Sequence, residues 1–79
     1  MMSELCLDKV DVGKRAIIKK VLSDTSNKKR ILDLGFTKGT IIKKEFNNIG
    51  KSLSAINIRG TLIALRKKDM QNIIVEAII

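Results

Sequence analysis

Apolar positions along this chain recur mostly at a spacing of two, in short runs cut by glycine or polar residues. Ala16-Ile17-Ile18-Lys19-Lys20-Val21-Leu22 forms the first such run, and Ile41-Ile42-Lys43-Lys44-Glu45-Phe46 the second. Ser54-Ala55-Ile56-Asn57-Ile58 alternates most cleanly, with Ile56 and Ile58 separated by small or polar neighbours. After the bend at Arg59-Gly60 come Thr61-Leu62-Ile63-Ala64-Leu65-Arg66 and, last, Ile73 to Ile79. Alternation of this kind marks half-buried strands, and the β-branched excess suits a pleated surface. Five strands are predicted. Leu5 to Val12 reads as a mixed lead-in, and Val12-Gly13-Lys14-Arg15 as a turn into the first strand.

One segment has a different rhythm. Ser23-Asp24-Thr25-Ser26-Asn27 is dense in helix N-cap residue types, and Lys28-Lys29-Arg30-Ile31-Leu32-Asp33-Leu34 runs on to Gly35. This predicts a helix over residues 25–34, closed by glycine. Ile31 and Leu34 are placed toward the core, Leu32 at its margin, and Lys28, Lys29 and Asp33 outside. Residues 67–72 predict a single helical or 3₁₀ turn, and 47–52 a loop. Lys44 poses a conflict. If Ile42 and Phe46 point inward, Lys44 shares their face, and either it snorkels to the rim or the strand bulges. Short strands, tight glycine turns and one helix describe a small, strongly bent barrel, whose closure removes exposed edges.

Composition narrows the chemistry. Seventy-nine residues make one domain, 1–79, with a thin core. The chain has one cysteine, Cys6, and no histidine. Transition-metal sites favour imidazole or thiolate, and the carboxylates show no ligand spacing, so no metal site and no cofactor are expected. General acid–base work wants a group poised near neutrality, and a nucleophile needs a base beside it; neither is present. The glycines form no phosphate loop, since Gly35-Phe36-Thr37-Lys38-Gly39 is too short for one and lacks its Gly-Lys-Ser/Thr ending. A non-enzymatic, binding role follows. The start, Met1 to Glu4, carries neither a basic region nor an apolar run, and no stretch approaches the ~20 residues of a membrane span. With Cys6 unpaired, a soluble protein in a cytoplasmic, reducing setting is expected.

Sixteen Lys and Arg against eight Asp and Glu give a net charge of +8. That balance draws anionic partners, although lysines at strand ends also block edge-to-edge aggregation. Lys28, Lys29 and Arg30 on the helix, with Arg59, Arg66, Lys67 and Lys68 at strand ends, are the candidate partner surface. Arg30 and Arg66 have a second reading, as staples between helix and barrel.

Three blocks in order carry a resemblance. Leu7, Val10 and Gly13 lead into Ile17-Ile18. Arg30-Ile31-Leu32-Asp33-Leu34-Gly35-Phe36-Thr37-Lys38-Gly39-Thr40 is similar to Arg-Leu-x-x-Leu-Gly-apolar-x-Pro-Gly-Thr. Gly60 to Arg66, Asp69-Met70 and Ile73-Ile74-Val75 close the chain. Over nearly its whole length the chain resembles FeoA, the small bacterial ferrous iron transport protein A. That resemblance implies an SH3-like β-barrel, also found as the C-terminal domain of iron-dependent repressors, and a role beside FeoB, the ferrous iron permease with a cytoplasmic GTP-binding domain. Lys38 departs from the usual proline, Ser52-Leu53 from an Asp-Pro, and Lys44 from an apolar residue. Two other readings are a basic barrel that binds nucleic acid, and a free-standing regulatory barrel of an iron-dependent repressor. Aromatic platforms typical of single-strand binders are not expected, because Phe36 and Phe46 are both assigned to the core.

Overall fold

Six antiparallel strands share one sheet, in the order β1-β6-β2-β3-β4-β5. The structure is a computed structural model and describes residues 4–22, 25–48, 50 and 52–78, with backbone only for Thr25 and Ser26. Strand β1 is Glu4–Cys6, β2 Arg15–Val21, β3 Ile41–Asn47, β4 Leu53–Ile58, β5 Thr61–Arg66 and β6 Ile73–Ala77. Helix α1 spans Thr25–Asp33, and the single turn α2 spans Lys67–Met70. The lead-in is more ordered than its mixed pattern predicts. Glu4–Cys6 pairs with β6, a 3₁₀ turn covers Leu7–Lys9, and Leu7 and Val10 are buried. The sheet therefore has six strands where five were expected.

The inward faces of all the longer strands meet in one cluster. Ala16, Ile18 and Val21 come from β2, Ile42 from β3, Ile56 and Ile58 from β4, Leu65 from β5, and Ile73 and Val75 from β6. Ile31, Phe36 and Met70 plug it from the connections. A flat sheet would need a second layer, and nine helical residues plus a four-residue turn cannot supply one. The sheet curls around its own side chains instead, but among the described residues β1 and β5 do not pair, so the curl leaves two edges where closure was expected to remove them.

The end of α1 corrects one expectation. Leu34 is exposed, and Phe36 is fully buried in its stead. Gly35 donates its N–H to Leu32 O (2.9 Å) and Phe36 to Ile31 O (3.4 Å), with Gly35 at φ +107°. This double bond pattern is the Schellman stop, which turns the chain so that the residue after glycine meets the helix's last apolar turn. Leu34 then falls on the outside of the turn, while Leu32 packs at the core margin as expected. Lys28, Lys29 and Asp33 are exposed. Of the expected N-cap cluster, Ser23 and Asp24 lie outside the described residues, and Thr25 to Asn27 already belong to the helix.

The Lys44 conflict is resolved by a bulge. Pairing shifts from Lys44↔Ile56 to Phe46↔Ala55, leaving Glu45 as the extra residue. Lys44 stays inward, buried to 4% exposure, and its ammonium donates to Asp8 O at 3.2 Å. Phe46 is thrown to the outer face, 56% exposed, against the expectation that it joins the core. A second bulge, between Ile18 and Lys20 opposite β6, lets Ile18 and Val21 both face inward.

Gly35→Ala forces an L side chain into positive φ at a cost of about 1–2 kcal/mol, although its Cβ would have ordinary space against Ile58. Thermal unfolding should fall by roughly 5–15 °C in a chain this small. Lys44→Met keeps the apolar stem and should change stability by under about 1 kcal/mol, whereas Lys44→Ala should cost about 2–3 kcal/mol by emptying that volume. Urea denaturation of both variants checks the order.

Candidate interaction surface

Charge and shape divide this molecule's surface into separate regions, and the expected basic residues do not form one rim. Lys28 and Lys29 are exposed on α1. Arg30, beside them, is engaged: its Nη2 donates to Asp69 Oδ1 at 3.0 Å and to Asn27 Oδ1 at 3.3 Å. Asp69 is only 5% exposed, so this contact fastens α1 to α2. Arg66 is exposed at the end of β5, and Lys67 opens α2, where its N–H donates to Ser52 O at 2.9 Å. Arg59 sits apart, in the β4–β5 turn, with Nη2 3.4 Å from Thr40 Oγ1. Strand β5 separates Arg59 from Arg66 by roughly 17 Å at the usual rise per residue. The structure thus ties Arg30 to α2, the turn that carries Lys67 and Lys68, and sets Arg59 at the opposite end of β5 from Arg66.

A polar hollow of about 190 Å³ opens beside Lys44, lined also by Asp8, Asp11, Asn47, Ser54 and Lys67. The hydroxyl of Ser54 donates to Asn47 Oδ1 there. Asp8 Oδ1 is buried without a hydrogen-bond partner, and a hollow of this size admits water to it. Carboxylate, ammonium, amide and hydroxyl stand together without a nucleophile–base pair. Among the described residues, no group of three or more His, Cys, Asp or Glu is placed to hold a metal ion.

The outer face of β3–β5 is where sequence reasoning missed most. Phe46, Ala55 and Ala64 stand in one cross-strand row, with Leu53 opposite Arg66 and Leu62 opposite Asn57 in the rows beside it. Phe46, Leu53 and Leu62 are all exposed, and a shallow groove of about 290 Å³ runs among these apolar residues. A signal existed in β5: Leu62-Ile63-Ala64-Leu65 is apolar on both faces of the strand, where a half-exposed strand normally alternates. For Phe46 the signal was the Lys44 conflict, since a bulge there sends the residue after it to the opposite face.

Arg30→Ala should destabilise the fold by roughly 1–3 kcal/mol, by leaving the Asp69 carboxylate buried without its cation. Adding Asp69→Asn should recover part of that loss. A double-mutant cycle by chemical denaturation measures the coupling, and simple additivity would show that the two groups do not interact.

Among the described residues no helix is long and apolar enough to cross a membrane. No curated protein matches the chain by sequence. Solved structures do match in fold. The FeoA-like protein from Clostridium acetobutylicum is 24% identical with a TM-score of 0.91, the match covering 100% of this chain and 92% of that one. Stenotrophomonas maltophilia FeoA, solved with zinc and described as a prokaryotic SH3 domain protein, is 21% identical with a TM-score of 0.79, covering 90% and 88%. A manganese-dependent transcriptional repressor is 12% identical with a TM-score of 0.86, covering 95% of this chain and 37% of that one. The bent sheet is an SH3-like barrel. A family model, described as FeoA domain, matches residues 5–77. The chain belongs to the FeoA family.

Proposed function

We propose that this protein is an accessory component of bacterial ferrous iron uptake that works by contact, without catalysis, docking on the cytoplasmic side of a FeoB-type permease. Membership of the FeoA family supplies the ferrous iron context. The observation that supports docking is the outside of the barrel. The core is mainly hydrocarbon, with Lys44, Ser54 and Asp69 buried beside it, whereas Phe46, Leu53 and Leu62 are held exposed on one sheet face beside Arg66. Exposed apolar groups set among like charges are characteristic of protein-interaction surfaces.

Two other readings have observations behind them. The net charge of +8 and the exposure of Phe46 favour nucleic acid, but a sequence-tolerant single-strand binder stacks bases on several aromatic rings, and the only other one, Phe36, is buried. The fold shared with the manganese-dependent repressor favours a regulatory barrel acting with a DNA-binding domain supplied in trans. A permease gene next to this one, in place of a repressor gene, separates that reading from docking.

The permease's soluble domain, immobilised on resin, should retain this chain at about 0.1 M salt and release much of it at about 0.5 M, as screening shortens the reach of the basic surface. Deletion of the chain should lower ferrous iron uptake. Unchanged uptake in the deletion strain would remove the proposal, and a steep salt-dependent affinity for single-stranded DNA in place of the permease domain would favour the nucleic-acid reading.

A further inference from the structure

Among the described residues, strand β5 ends the sheet and has a hydrogen-bonded partner strand on one side only, β4. The turn before it fixes which of its backbone groups remain open. Arg59 and Gly60 form a two-residue connection, both at positive φ (53° and 82°), closed by the pair Ile58↔Thr61. In hairpins of this kind the closing pair exchanges both its hydrogen bonds, and such pairs then alternate along the ladder. The N–H and C=O groups of Thr61, Ile63 and Leu65 therefore point to β4. Those of Leu62, Ala64 and Arg66 point away from the sheet. All three of these residues are exposed.

Natural edges are usually blunted by a lysine, a proline, a bulge or an inward charge. From Thr61 to Leu65 the strand has no charged residue and no proline, and its register with β4 is unbroken. The charges stand at its ends: Arg59 precedes it, and Arg66, Lys67 and Lys68 follow. The whole stretch from Phe46 to Lys68 contains no Asp or Glu. The apolar row Phe46, Ala55, Ala64 runs across the outer face and stops at this open edge, so the groove continues into the space that a further strand would fill.

Charge selects the occupant. A second copy would bring the same cations to the same edge. An extended segment with an apolar centre and acidic ends meets every feature at once: open backbone groups in the middle, an apolar row beside them, and cations at both ends. We propose that β5 accepts such a segment of a partner protein as an added strand. This deepens the docking reading above and rests on it for the identity of the partner.

The test uses the whole chain and two capped synthetic octapeptides, Glu-Glu-Val-Thr-Val-Thr-Glu-Glu and its counterpart with Lys in place of every Glu. Amide hydrogen exchange followed by NMR reads each residue. With the acidic peptide, protection at Leu62 and Ala64 should rise roughly fivefold or more, with little change at Ile63 and Leu65, whose N–H groups already bond to β4. The basic peptide should give no such protection. Ala64→Pro removes an open-side N–H while sparing the β4 ladder, and should weaken acidic-peptide binding roughly tenfold or more. Should that variant fail to fold, Arg66→Glu tests the same edge through charge, with an expected loss of roughly threefold to tenfold. Equal binding of both peptides, peptide-induced shifts without protection at Leu62 and Ala64, or protection of those two amides in a free chain that sediments as a dimer would each overturn the proposal. Undiminished retention of Ala64→Pro and Arg66→Glu chains by the permease domain would overturn strand addition and leave docking standing. Peptide protection without retention of the wild-type chain would do the reverse.

Discussion

One constraint governs this structure: six strands have an apolar face to bury, and there is almost no second layer to bury it against. Fully burying an aliphatic side chain is worth about 1.5–3 kcal/mol, and Ile18, Ile42, Ile56, Ile73 and Val75 are all buried on that one face. Curling the sheet brings those side chains onto one another. Helix α1, the glycine turn that follows it and turn α2 then need only to cover this cluster, which they do through Ile31, Phe36 and Met70 and the Arg30–Asp69 ion pair.

Curvature has to be absorbed somewhere in the backbone, and two register shifts accompany it. A bulge adds twist and switches which residues face inward. In β2 the switch lets Ile18 and Val21, an odd number apart, both reach the core. In β3 it has the opposite chemical outcome. Lys44 is kept inside, where its stem packs and its ammonium reaches Asp8 O, and the aromatic ring of Phe46 is left outside. The bulge in β3 thus also adds an aromatic ring to the apolar outer face of β3–β5.

Period-two alternation made the five longer strands legible, since Ile56 and Ile58 or Ile73 and Val75 share a face in any register-true strand. The helix was legible from its glycine stop, and Arg30, read either as partner surface or as a staple between helix and barrel, is ion-paired with Asp69 of α2. What escaped is what depends on three dimensions. Leu34 and Phe36 are both apolar near the helix end, and only the Schellman turn at Gly35 decides that Phe36 is the one buried. Phe46 follows Ile42 at an even spacing, and only an extra residue in the ladder sends it outward. Glu4–Cys6 is too short to show a period, and its pairing with β6 makes it a strand. The basic residues were visible as charges, but their grouping depends on which element ends lie together.

A sheet that curls without joining its first and last strands keeps two edges. Among the described residues the two are unequal: β1 covers three, whereas β5 covers six and is uncharged until its last residue. Cations in the middle of an edge strand deter every partner strand alike. Cations moved to its two ends deter like-charged strands, other copies of this chain among them, and leave the central backbone groups open to an acidic one. The same basic balance that keeps the molecule from stacking on itself therefore makes its open edge selective, and a protein whose core is mainly hydrocarbon retains a directional means of recognising another protein.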